Sequence, residues 1–74
     1  SKSVEASIWD CVYMTLIYEG VTDLTYDEMK ASYTDPVETL TVLGKYPGGR
    51  YLRYFIRSCI WIYRQGHSGY QQDK

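Results

Sequence analysis

Gly48-Gly49-Arg50-Tyr51-Leu52-Arg53-Tyr54-Phe55-Ile56-Arg57-Ser58-Cys59-Ile60-Trp61-Ile62-Tyr63-Arg64-Gln65-Gly66 decides how this chain is read. Glycines stand at both ends, where helices start and stop. At about 100° per residue, positions 50–65 sort into two faces. Leu52, Phe55, Ile56, Cys59, Ile62 and Tyr63 fall within roughly 60° of one direction. Arg50, Arg53, Arg57 and Arg64 form a stripe about 60° wide on the other side. Tyr54 and Trp61 flank that stripe. The pattern predicts an amphipathic helix over residues 50–65, with its cationic, aromatic-edged face turned outward.

Outward from that helix, the rest of the chain reads as its scaffold. Its 74 residues make one domain. At that size roughly 60–65% of the unfolded surface is buried, which leaves no room for a deep cleft between lobes. The apolar share of 45% is enough to fold, so wholesale disorder is disfavoured. Nine tyrosines against one phenylalanine set many rings at the boundary between core and water, which suits an interface.

Net charge is −1, which argues against nucleic-acid binding by bulk charge. The charges are nonetheless segregated. Eight acids stand against two bases before residue 45; six bases stand against one acid from Lys45 on. No apolar run reaches the ~18 residues of a membrane span. No secretory signal is visible in the chain as given.

Ser3 caps a predicted first helix from Val4 to about Glu19, closed by Gly20. That helix is apolar around most of its circumference and reads as the core, with Trp9 inside it. Thr25-Tyr26-Asp27-Glu28 matches a capping box and starts a second helix over residues 26–32. Asp35-Pro36-Val37-Glu38 is another start signal. The alternating, β-branched Thr39-Leu40-Thr41-Val42-Leu43 then reads as a strand, paired to Val21–Leu24. Residues 44–49 read as a loop, and residues 1–3 and 67–74 as frayed ends. The expectation is a mostly α, single small domain, 1–74, of three main helices with a short β pair.

Enzyme chemistry finds no support in the residues. His67, the single histidine, lies in the expected tail, where nothing holds it against a proton to be moved. Asp27 and Glu28 are adjacent and act as helix-start acids. The glycines before Arg50 lack the lysine and hydroxyl of a phosphate loop. Cys11 and Cys59 have no metal-ligand neighbours and read as buried thiols, with a disulfide between the two helices as the alternative. No catalytic residue, metal or cofactor is expected.

The arginine stripe remains. Solvated helix faces usually mix Lys and Glu, whereas this face has four arginines and no acid. Arginine forms forked contacts with carboxylates and phosphates, and Arg and Trp often carry binding energy at interfaces. The bland alternative is a solvated face, partly neutralised by the acidic half of the same chain. As a contact surface it suits an acidic protein loop. Direct single-stranded nucleic-acid binding is the alternative, since Trp61 or Tyr54 could stack a base.

An opening Ser-Val-Glu-Ala helix, the short apolar strand Leu40-Thr41-Val42, a glycine-rich turn and a long basic helix through Ile62-Tyr63-Arg64-Gln65 together span roughly residues 3–70. In these the chain resembles the C-terminal domain of rhabdovirus phosphoproteins, with a plant-infecting branch suggested by its tyrosines. The resemblance implies a non-catalytic module of a polymerase cofactor and nucleoprotein chaperone. Such a module binds the viral nucleoprotein in complex with RNA, while other parts of the protein reach the large polymerase. It implies Arg53, Arg57 and Arg64, with Tyr54 and Trp61, as the partner-binding residues, to which the stripe itself adds Arg50; it also implies a monomeric domain, and work in the host cell or virion, in the cytoplasm. The chain departs from vesiculovirus members, which keep basic residues close to the C-terminus, in having only Lys74 as a base after Arg64 and His67.

Overall fold

The computed structural model describes residues 3–45 and 48–72, with side chains as far as residue 66. Four helices follow one another: α1 (Val4–Tyr18), α2 (Tyr26–Ser32), α3 (Pro36–Leu43) and α4 (Arg50–Gln72). No strand occurs among the described residues. The domain is mostly α, as expected, but with four helices and without the β pair.

Local signals set each start. Ser3 Oγ accepts the Ala6 amide at 3.1 Å and caps α1. α1 ends in a left-handed Gly20 (φ 99°). There the Gly20 amide reaches the Ile17 carbonyl and the Val21 amide the Leu16 carbonyl, each at 2.9 Å, a Schellman closure. Thr25 and Glu28 form the reciprocal capping box of α2, with bonds of 3.1 and 2.9 Å. That bonding to Thr25 holds the Glu28 carboxyl below its usual range.

α3 occupies the stretch expected to be a strand, for identifiable reasons. Asp35 Oδ1 accepts the Glu38 amide at 3.0 Å, and Pro36 stands in the first turn. Thr39 and Thr41 donate their hydroxyls back to the Asp35 and Val37 carbonyls at 2.7 and 2.8 Å. The threonines that argued for a strand are thus satisfied within the helix. A period of three turns Val37, Leu40 and Leu43 inward, Leu40 completely, while Val42 is left exposed.

The core joins all four helices: Ile8, Val12 and Leu16 of α1, Met29 of α2, Leu40 of α3, and Leu52, Ile56 and Cys59 of α4. α2 docks on α1 through an edge-to-face Tyr13–Tyr26 pair, 5.4 Å between centroids. Tyr26 also donates to Asp10 at 3.1 Å, and Lys30 stands over the Tyr26 ring. α1 is buried on one side only. Met14, Ile17 and Tyr18 are exposed, and Trp9 is half-buried rather than enclosed. Thr15 Oγ1 is buried with no hydrogen-bond partner, a cost of about 1–3 kcal/mol that the core carries.

α1 and α4 run antiparallel. Cys11 is disulfide-bonded to Cys59, their Cα atoms 6.4 Å apart, where the sequence favoured two thiols. Gly66, expected to end the helix, instead lies inside it. An added Cβ there would stand 2.9 Å from Val4 Cγ2. The helix continues to Gln72, so residues 67–72 belong to α4 rather than to a frayed tail. At 23 residues, α4 is about 34 Å long and sets the 40 Å long axis of the molecule.

Two outcomes follow for stability. The disulfide bridges a separation of 48 residues, which in the chain-entropy account stabilises the fold by about 4 kcal/mol. Urea unfolding should shift to a markedly lower midpoint when the protein is reduced or carries Cys11→Ala/Cys59→Ala. Coincident curves with and without reductant, with thiol titration to confirm reduction, would count against the bond. Gly66→Ala should destabilise the wild type, although alanine is the better helix former by about 1 kcal/mol. In a Val4→Ala background the same change should be neutral or stabilising, which thermal melts of the four variants would show.

Candidate partner-binding face

Arg50, Arg53, Arg57 and Arg64 are all exposed on α4. So are Tyr54 and Trp61, at 56% and 63% of their full surface. Gly49, Arg50, Arg53, Tyr54 and Arg57 line one open depression of about 410 Å³. A second, of about 180 Å³, lies where Arg53 and Arg57 meet α3 and Lys45. Four of the six expected residues are therefore brought together. Trp61 and Arg64 stand one and two turns further along, roughly 6 and 10 Å up the axis from Arg57. Lys45 was missed by sequence reasoning. It precedes the glycine-rich turn, and only the packing of α3 on α4 places it beside Arg53 and Arg57.

Among the described residues, none of these arginine side chains has a hydrogen bond or ion pair. Five of the eight acids of the first half do other work. Glu5 accepts from Tyr63 at 3.0 Å and Asp10 from Tyr26. Glu28 and Asp35 cap helices. Glu19 accepts the Gly48 amide at 3.2 Å. That last contact also sets a protein carboxylate beside the start of α4, next to the glycine turn a phosphate would need.

The stripe also runs against the helix field. Arg50 and Arg53 lie in the first turn of α4, which has no acid. Cations at this positive end are unfavourable by about 0.3–1 kcal/mol each. With mutual repulsion along the stripe added, these positions are not chosen for the stability of the helix.

Sites for chemistry are few. Among the described residues no group of three or more His, Cys, Asp and Glu could hold a metal ion. The side chain of His67 lies outside the described residues, as do Tyr46 and Pro47 of the loop before α4. No helix of the described residues is long and apolar enough to cross a membrane. Compared with protein-family models, curated proteins and solved structures, the chain matches none.

Two tyrosines tie the scaffold to this helix and to α2. Burial pushes the Tyr63 hydroxyl above its ordinary value, reinforced by its bond to Glu5 and the nearby Asp35. Burial and the bond to Asp10 do the same for Tyr26. The folded protein holds both protons longer than the unfolded chain. Their contribution is complete below roughly pH 10 and is lost as pH rises through the raised values. Between pH 8 and 11 the wild-type urea midpoint should fall more steeply than that of Tyr26→Phe/Tyr63→Phe. Parallel curves would show that these hydroxyls do not control the alkaline limit.

Proposed function

We propose that this domain is a non-catalytic docking module whose α4 face binds an acidic protein surface. The observation that carries the reading is the set Arg50, Arg53 and Arg57 around one open depression with Tyr54, all without side-chain partners among the described residues. A guanidinium with no internal partner is available for forked contacts with carboxylates. Exposed Trp61 and Tyr54 supply aromatic area beside those charges, the residue types that carry binding energy when covered.

A protein partner is favoured over a nucleic acid. The overall charge of −1 and the acids of the first half oppose a broad approach by a polyanion. A compact acidic segment meets only the stripe. Single-stranded nucleic acid remains the other candidate for the same face, and its binding would weaken steeply with salt.

The narrower form of the proposal is attachment of a polymerase cofactor to nucleoprotein–RNA, as the resemblance to rhabdovirus phosphoproteins implies. Its supports are the opening helix, the glycine-rich turn and the basic last helix. The apolar strand that formed part of the likeness is α3, so that support is gone. The disulfide adds a constraint, because such bonds persist in oxidising compartments and are rare in the cytosol. It weights the wider form, an acidic protein partner met in an oxidising environment, over the cytoplasmic one.

Arg53→Glu/Arg57→Glu should leave the circular dichroism spectrum unchanged and the melting temperature equal or slightly raised, since an acid suits the first turn of α4 better than an arginine. It should weaken binding of a labelled Asp/Glu-rich peptide at least tenfold by fluorescence anisotropy. Unchanged affinity would sink the proposal. A wild-type preference for a single-stranded RNA oligonucleotide over that peptide would move the face to the nucleic-acid reading. Pull-down on nucleoprotein–RNA rings tests the narrower form.

A further inference from the structure

On the side of α4 away from the deepest core, a second feature is left uncovered. Along α1, Val4, Ser7, Cys11, Met14 and Tyr18 recur at alternating steps of three and four. Along α4, Tyr51, Phe55, Ser58 and Ile62 do the same. This is the spacing of a helical seam. The two rows border one groove between the antiparallel helices. It consists of adjoining depressions of about 330 and 260 Å³ that share Phe55. Among the described residues no charged one lines either. At the middle it is lined by the small side chains of Ser7 and Ser58 together with the disulfide-bonded Cys11 and Cys59, which leaves little bulk to hold another backbone away. Tyr18, Tyr51 and Ile62 are 74%, 84% and 62% exposed along its margins.

The groove's surroundings are electrically one-sided. Going around α4 from Ser58, Tyr54 and Trp61 come next and then Arg50, Arg57 and Arg64. The α4 margin is therefore cationic. Beyond the α1 margin there is no comparable row of charge among the described residues.

We propose that this groove seats an amphipathic acidic helix of a partner protein, of about four turns. From Val4 to Tyr18 the groove is about 21 Å long, which is the rise of some 14 residues. The partner's apolar residues, at i, i+3 or i+4, and i+7, lie in the groove. Its carboxylates project over Tyr54 and Trp61 to the arginines. The inference rests on the acidic-partner reading and gives that partner its shape. A second copy of this chain fits less well. Its α1 has three carboxylates at or near the helix, and Glu5, Asp10 and Glu19 already accept from Tyr63, Tyr26 and the Gly48 amide. A copy would bring a second arginine row with no acidic row to meet it.

The test uses the intact chain and three synthetic peptides of about 16 residues. One has leucines at helical spacing with glutamates along one flank. The second has lysines in place of the glutamates. The third is a scramble of the first with the same charge. Ser58→Lys fills the middle of the groove from an exposed position and adds to the positive charge rather than removing it. The first peptide should bind and gain helicity, and Ser58→Lys should weaken it at least tenfold while leaving the scramble unchanged. Equal affinity for the lysine peptide or the scramble, or indifference to Ser58→Lys, overturns the groove proposal. So does sedimentation as a dimer that Ser58→Lys makes monomeric. Weaker binding of both acidic peptides by Arg53→Glu/Arg57→Glu, with no effect of Ser58→Lys, defeats the groove and leaves the stripe. Indifference to both variants defeats the two readings together.

Discussion

The antiparallel pairing of α1 and α4 is tied at three points, and the other elements are placed by it. Near one end, Gly66 admits Val4 to a distance that no side chain at that position would allow. In the middle, Cys11 and Cys59 are covalently joined. At the other end, Glu19 holds the Gly48 amide and so sets where α4 begins. A domain of 74 residues has a small core, and chains of this size often rely on such a staple. α2 and α3 are short helices that dock against the pair, each through one wholly buried side chain, Met29 and Leu40.

That frame explains why the charges stay apart. In the acidic first half, two helix starts and two inter-helix hydrogen bonds use carboxylates. Asp35 and Glu28 act within their own helices; Glu5 and Asp10 hold tyrosines of other helices. None of these contacts reaches the arginine stripe among the described residues. The bland alternative, in which the acidic half neutralises some of the arginines, assumes that opposite charges in one small domain meet. Local backbone donors and phenolic hydroxyls take up those acids first.

Helix starts were legible from sequence because capping acts over three residues. Ser3, Thr25 and Asp35 each perform the role that their spacing announces. The wheel of α4 was legible too, since its arginines and most of its apolar residues fall where the period puts them. What failed depended on distant partners. The threonines of α3 look β-forming until their hydroxyls find carbonyls four residues back. Gly66 looks like a stop until Val4 is seen against it. Cys11 and Cys59 look like separate thiols until antiparallel packing aligns them. Lys45 joins the candidate site only because α3 lies beside α4. Ile62 sits on the apolar arc and yet is exposed, because none of the described residues covers it.

That last discrepancy bears on function. α4 has 23 residues, and α1, its main neighbour, has 15. α3 has only 8, and it covers the flank near Ile56 and Ile60. The apolar arc of α4 is wider than this scaffold can cover, and the remainder borders the groove. The same helix has more positive charge than its scaffold answers. A sequence selected for stability alone would shorten the arc and interleave acids with the arginines. Both excesses lie on one helix, separated by Tyr54 and Trp61. A ligand that is apolar on one side and acidic on the next would satisfy the two at once.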